Sequence, residues 1–483
     1  MSSISDIISD VEIKEKGKTK IIATLGPASE SEEMIRSLIL KGMDVARLNT
    51  KHNEPSWHME MVKKIRKISN ELGVRVGVLL DLQGPEIRAE NYMNQPIQIK
   101  KGEVYFLTSE TPKNVNEIHI PYLKVIESLK KGHEVSINDG AVDFVVTGVE
   151  KGVSSIKAQN DYLLGHRKTI NIPGLTADIP SLTERDKEFL EIIKKEPVDF
   201  IGLSFVRSKK DLLILKKHIE EVKSKAHIIA KIETRLALQN IDEIIRNTDA
   251  LMIARGDLGV ENPIEEIAFW QKKLIRLCRE KDTPVIVATQ MLKSMVDSPT
   301  PSRAEATDIA NAVFDGTDAI MLSEETAMGN YPEKAVEAMA KISHFNETKP
   351  ELADNFVPTP KGATEAFAST AAHLIEQGEK FDLNKVIVFT DSGFTARALA
   401  TYRPKYEIIA VTDKEATANQ LSLVYGVKPY LTNLPNGLVT LENIPIKKLI
   451  QEKLLKKDET VLIIHGKNWK EPGTSSILAF FKV

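Results

Sequence analysis

Residues 227–257 read HIIAKIETRLALQNIDEIIRNTDALMIARGD. Two short apolar runs, His227-IIAKIE and Ala250-LMIARGD, each end in charged residues, and a helical period lies between them. Six more runs of the same kind flank this pair: Lys20-IIATLG, Val45-ARLN, Val76-GVLLD, Phe200-IGLSF, Pro284-VIVATQ and Ala319-IMLSEE. Short, nearly continuous apolar strands alternating with amphipathic helices such as SEEMIRSLILKG predict a parallel sheet. Eight of them predict closure into a (β/α)8 barrel.

Between the third and fourth runs lie more than a hundred residues, too many for one βα unit. From roughly Ile87 to Ile179 the pattern changes to period two, as in PIQIKKGEVYFLT and in VDFVV, where Val142, Phe144 and Val146 share a face. An Asn138-Asp139-Gly140 turn between alternating runs is a hairpin signal. This stretch reads as an inserted antiparallel β domain, entered after Pro85, left near Pro173 and Pro180, and placed to act as a lid over the barrel rim. After Ile342 the sequence KISHFNETKPELADNFVPTPKGAT reads as a linker with a helix start. The runs Val386-IVFT, Ile408-IAVT and Val461-LIIHG then predict an open, doubly wound C-terminal α/β domain. The expected division is a tail at 1–17, a barrel at 18–86 and 180–342, a lid at 87–179 and a C-terminal domain at 343–483.

The chain has 483 residues, more than one core can hold at roughly 250–300 residues. A formal charge of −3 gives no broad basic surface, which argues against nucleic acid as the main partner. The single cysteine, Cys278, cannot form an internal disulfide; it reads as core filler in a reducing compartment. No stretch approaches a membrane span of roughly 18 apolar residues, and the first 17 residues lack the apolar core of a signal peptide, so a soluble, cytoplasmic enzyme is expected.

In a barrel, polar residues just after each strand face one rim and form one constellation. Here they are Arg47 and Asn49, Asp81, Ser204 and Arg207, Lys231 and Glu233, Arg255 and Asp257, Thr289 and Gln290, and Ser323. Glu233 and Asp257 end consecutive strands. Two convergent carboxylates suit magnesium, which prefers oxygen ligands and keeps several waters. The bland alternative is a pair of surface salt bridges to Lys231 and Arg255. Lys231 lies two residues before Glu233, on the same strand face, where an ammonium can neutralise a transferring phosphoryl group or a developing enolate. The glycines of Arg255-Gly256-Asp257-Leu258-Gly259 let backbone amides approach an anion.

The segments TLGPAS, LLDLQGPEIR, AKIETRLALQNIDEII, MIARGDLGVE, VIVATQMLKSM and PSRAEATDIANAVFDGTDAIMLSEET resemble the pyruvate kinase family, over about Thr19 to Val483. The resemblance implies phosphoryl transfer from phosphoenolpyruvate to ADP, giving pyruvate and ATP in glycolysis. It implies Glu233 and Asp257 on magnesium (or manganese), and Lys231 on the phosphoryl group and enolate. Thr289 would lie near the face where the enolate is protonated, the amides of Gly256 and Asp257 on the substrate carboxylate, and Arg47 on the phosphoryl group. Thr24, Pro27, His52, Arg88 and Lys168 match positions that meet ADP. A homotetramer is implied as well.

The chain departs from the family at its potassium site. Where the family reads RLNFSHG, this chain has Arg47-Leu48-Asn49-Thr50-Lys51-His52-Asn53, and Leu82 follows Asp81 where threonine is usual. Either the Lys51 ammonium sits near Asn49 and Asp81 in place of the potassium ion, or it swings to solvent and the ion site is degraded. Glu86 keeps the acidic residue usual in potassium-dependent members. IETRLA lacks the acid and glycine usual after KIE, and Glu324 stands where glycine is usual. In the C-terminal domain, Thr390, Ser392, Gly393 and Thr395 resemble part of an effector loop for sugar phosphates, completed by residues 469–476. Phe394 there replaces a frequent arginine; an ordinary capped turn fits equally well. Another magnesium barrel acting on pyruvate, or a non-catalytic metabolite sensor, are the alternative functions.

Overall fold

The structure is a computed structural model that describes residues 17–138, 140–175, 179–435, 437, 444–468 and 475–483. The 1–16 portion of the tail, Asp139 of the lid turn and the 469–474 portion of the late loop lie outside the described residues.

All eight apolar runs are strands: β1 Lys20–Leu25, β2 Met43–Asn49, β3 Gly77–Asp81, β4 Phe200–Leu203, β5 His227–Ile232, β6 Ala250–Ala254, β7 Val285–Ala288 and β8 Ala319–Leu322. They pair in parallel and in sequence order, and β8 closes on β1. Continuous apolar runs are what such strands need, because one face fills the barrel and the other meets helices. Ile22, Val45, Leu79, Ile229, Met252 and Ile286 belong to the inner cluster, whereas Ile21, Ala46, Leu80 and Ile253 pack outward against the helix layer. Ser31, Thr183, Ser208, Thr234 and Ser302 each cap the helix that follows, fixing where the chain turns back.

The insert between β3 and β4 forms its own closed seven-stranded barrel. Its pairs are antiparallel except that Val104–Thr108 runs parallel to Glu117–His119. The expected hairpin joins Glu134–Ile137 to Val142–Glu150, with Asn138 at φ 58° and Gly140 at φ 86°. Val142, Phe144 and Val146 are fully buried in a core separate from that of the main barrel. Strands Arg88–Asn91 and Lys168–Asn171 pair with each other, Thr169 opposite Arg88, so the chain enters and leaves the lid side by side.

The helix Pro332–Glu347 runs past the expected break at 342, and the non-helical connection follows at 353–362, where Pro358 and Pro360 forbid helix continuation. Beyond it, β9 Leu383–Phe389, β10 Ile408–Thr412, β11 Val427–Leu431, β12 Thr460–Gly466 and β13 Ser475–Lys482 form a sheet of order β11-β10-β9-β12-β13. Only β13 is antiparallel. This domain stoppers the N-terminal mouth of the barrel. Leu423 joins the inner cluster, and a Cβ on Gly77 would stand 2.5 Å from Ser422 Oγ, so that close approach requires glycine.

Candidate active site

Lys231, buried near the end of β5, is the hub of the rim. Its Nζ donates to Ser204 Oγ at 2.7 Å and lies 3.0 Å from Glu233 Oε1. It also lies 3.2 Å from Asp81 Oδ1, an ionic contact outside hydrogen-bond geometry. The alternation of β5 places Lys231 and Glu233 on one side, and parallel pairing sets β3 and β4 beside them. Gly202 sits opposite Asp81 in β4, where a side chain would crowd Asp81 Oδ1 at 3.0 Å.

Asp81 is held from its other oxygen by Arg47 Nε at 2.7 Å. Arg47 Nη1 donates to Thr24 Oγ1 at 2.9 Å, while the Thr24 hydroxyl donates to Leu322 O. Arg47 Nη2 has no partner among the described residues. Burial alone would pull the Lys231 ammonium down, but Asp81 and Glu233 outweigh it and hold its pKa above the ordinary lysine value. Burial would likewise raise Asp81; Lys231 and Arg47 reverse this and keep it below the ordinary aspartate value. The result is a permanently charged network.

Glu233 is 2% exposed, and its Oε2 accepts the amide of Phe205 at 2.6 Å. The Lys231–Glu233 bridge therefore exists but is buried in the rim. Arg255 acts as a brace within the rim. It reaches Asp308 at 2.7 Å and donates to Thr289 O at 2.9 Å, bracing the loop after β7. In that loop Thr289 has φ 73°, a strained value for a β-branched residue, and its Oγ1 accepts the Gly256 amide at 2.8 Å. Asp257 stands in the first turn of helix Arg255–Glu261, close enough to act on the Lys231 charge.

The donor set fits magnesium. It is oxygen-only, and the ion is commonly bound by one or two carboxylates plus substrate oxygens and water. Among the described residues no group of three or more His, Cys, Asp or Glu is arranged to hold a metal. The positions expected for a potassium site carry altered surroundings. Leu82 offers no side-chain oxygen, and Asn49 Oδ1 accepts the Lys51 amide at 3.1 Å. The Lys51 ammonium stands against Glu86 Oε1 at 3.4 Å, not against Asp81 as expected, because Arg47 and Lys231 already occupy Asp81.

Glu86 is a junction whose partners the sequence did not reveal. Besides Lys51 it receives Arg88 at 2.8 Å and the Thr169 hydroxyl at 2.9 Å, tying both roots of the lid to the rim. Burial would raise its pKa, but Lys51 and Arg88 bring it below the ordinary glutamate value. Arg88 is thus placed beside Lys51, and Lys168 begins the neighbouring lid strand. Pro27 and His52 are exposed; burial, Lys51 and Arg88 depress the His52 pKa, which keeps its ring neutral. Thr24 is buried and accepts a hydrogen bond from Arg47. Arg207 turns away to Asp211 and Ile179 O, clamping the chain that returns from the lid.

A family model described as pyruvate kinase, barrel domain, matches residues 16–336, and one described as pyruvate kinase, alpha/beta domain, matches 368–479. The chain belongs to the pyruvate kinase family. Its reaction is transfer of the phosphoryl group of phosphoenolpyruvate to ADP. Pyruvate kinases of Staphylococcus aureus strains MRSA252 and USA300 are each 38% identical over 468 residues, covering 95% of this chain and 80% of theirs. A crystal structure of a pyruvate kinase from Cryptosporidium parvum aligns over 100% of both chains with a TM-score of 0.88 at 32% identity. Against that family background, Glu324 is accommodated on the surface, where it pairs with Lys293.

The C-terminal loop closes on itself. Thr390 Oγ1 accepts the Gly393 amide at 2.9 Å, Gly393 has φ 78°, and Arg397 lies over the Phe394 ring. Ser392 O accepts from Arg397, and Thr395 is buried. Asp391, paired with Lys414, puts a carboxylate in the middle of the loop. The helix that follows, Phe394–Ala400, starts at Gly393 without a side-chain cap.

Proposed function

We propose that the rim performs this phosphoryl transfer with magnesium held between Glu233 and Asp257, and with Lys231 as the group that stabilises the moving charge. The observation that carries the reading is the Lys231 ammonium fixed among Ser204, Asp81 and Glu233 at distances of 2.7 to 3.2 Å. Magnesium, when bound, supplies the charge that phosphoryl and enolate oxygens need. A buried cation of fixed geometry needs no reorganisation as the enolate forms.

Arg47 holds the phosphoryl group through Nη2, its other nitrogens being locked by Asp81 and Thr24. The amides of Gly256 and Asp257 receive the substrate carboxylate, and the Thr289 hydroxyl serves the face where the enolate is protonated. ADP meets Pro27, His52, Arg88 and Lys168, with the last two brought in by the lid and Thr24 supporting from behind Arg47. Lys51 supplies a fixed positive charge in place of potassium, seated at Glu86. We further propose a cytoplasmic homotetramer; among the described residues no helix is long and apolar enough to cross a membrane. The 390–395 loop serves as a structural turn.

A coupled assay of pyruvate formation from phosphoenolpyruvate and ADP, with and without magnesium, tests the reading. Turnover that persists in a chelator would overturn the metal assignment. Light scattering of the purified chain decides the tetramer.

A further inference from the structure

We infer that Glu261 is a positioning residue that ties the base of the lid to the two segments bearing the magnesium carboxylates. The inference rests on the assignment of Glu233 and Asp257 made above. Glu261 is the last residue of helix Arg255–Glu261, four residues after Asp257 and therefore on the same helical face. Its Oε2 accepts two amides from elsewhere. One is that of Arg235 at 3.4 Å, two residues beyond Glu233. The other is that of Gly174 at 3.3 Å, in the chain leaving the lid. One carboxyl oxygen therefore joins the Asp257 helix, the Glu233 loop and the lid.

The surroundings show why a carboxyl there matters. Glu261 is 8% exposed and borders a cavity of ≈ 70 Å³ beneath the lid. Glu86 and Thr169, from the two lid roots, and Arg207, from the rim, border the same cavity. Burial pushes the Glu261 carboxyl up to about 7, against the pull of the Arg235 and Gly174 amides and the Arg235 charge; Asp257 pushes the same way as burial. The charged groups facing it are thus Asp257 on its own helix, Arg235 on the β5 loop, and Arg207 and Glu86 across the cavity. A charged carboxylate draws amides closer and holds them more strongly. The tether accordingly tightens as pH rises through neutrality. Because Gly174 belongs to the lid's return chain, the effect reaches the ADP positions assigned to the lid as well as the two carboxylate segments.

The test compares the full-length enzyme with Glu261→Gln, which keeps an acceptor but cannot titrate, and Glu261→Ala, which keeps neither. Amide hydrogen exchange at residues 174 and 235 should accelerate about fivefold in the alanine variant, the loss expected for a hydrogen bond of this kind. In the same variant KM for ADP should rise several-fold. The glutamine variant should keep slow exchange and near-normal KM for ADP, yet lose the inflection near pH 7 in kcat/KM for ADP. Unchanged exchange at both amides overturns the tether. An unchanged KM for ADP in the alanine variant, or an inflection retained in the glutamine variant, reduces Glu261 to a structural residue and overturns the inference as well. The exchange measurement needs no turnover, so it decides the tether even if the assay finds no pyruvate kinase reaction.

Discussion

The Gly256 amide donates to the Thr289 hydroxyl at 2.8 Å, across the gap between β6 and β7. The amide assigned to the substrate carboxylate and the hydroxyl assigned to the enolate face are therefore each other's partners before substrate arrives. The same hydroxyl donates to Ala288 O at 2.6 Å, so a carboxylate that takes the amide frees an acceptor position on an oxygen that stays anchored. Thr289→Ala is expected to slow proton exchange between the pyruvate methyl group and solvent by about a hundredfold or more, the usual span for a positioned proton-transfer group. Thr289→Ser should retain most of it. Deuterium incorporation followed by NMR checks this, and normal exchange in the alanine variant would count against the assignment.

Lys231→Met should lower kcat by about 10²–10³, the cost of removing one preorganised charge-stabilising donor. The same change leaves Asp81 and Glu233 buried beside each other without their shared cation, so stability should fall by roughly 3–5 kcal/mol. Denaturant melts alongside initial rates separate the two effects. A variant with full activity refutes the role given to this lysine.

Asp81 is held below the ordinary aspartate pKa by Lys231 and Arg47 once they overcome burial. A depressed carboxyl stabilises the fold above its unfolded pKa of about 3.9 and loses that contribution as pH falls through the lower folded value. The wild type should therefore hold its stability down to about pH 4 and lose it in more acid solution. Asp81→Asn should be less stable at neutrality and show a shallower acid decline, as measured by urea midpoints across the acid range.

With potassium, sodium or tetramethylammonium as the only monovalent cation, rates should agree within about twofold at matched ionic strength, because Lys51 is a tethered charge that salt identity cannot replace. A strong potassium requirement would sink the substitution. Lys51→Met should lower activity in all three salts and loosen the lid through Glu86, its partner at 3.4 Å.

Much of the fold could be read from the chain because each barrel strand is a continuous apolar run ending in charge, a pattern few other structures demand. β11 was missed for a physical reason: Pro429 sits inside it, and only an edge strand tolerates the lost donor. The site was legible where period-two spacing decides a face, as for Lys231 and Glu233. It was not legible where three-dimensional crowding decides a partner. Nothing in the sequence says that Arg47 and Lys231 both pair with Asp81 while Lys51 pairs with Glu86, or that Thr24 is buried beside Arg47. Glu261 carried one faint signal, its place four residues after Asp257 on a helix.

The lid interrupts the barrel between β3 and β4, strands that pair as Leu79 with Phe200 and Asp81 with Gly202. On a ribosome adding about 5–20 residues per second, β3 waits on the order of ten seconds for that neighbour to be made. Until then the growing chain offers an unpaired, apolar strand edge to its surroundings. The lid, with a core of its own, can fold during the wait and bring its paired roots together, Thr169 beside Arg88. The insert that covers the finished catalyst is thus also the splint that returns the nascent chain to the barrel it left.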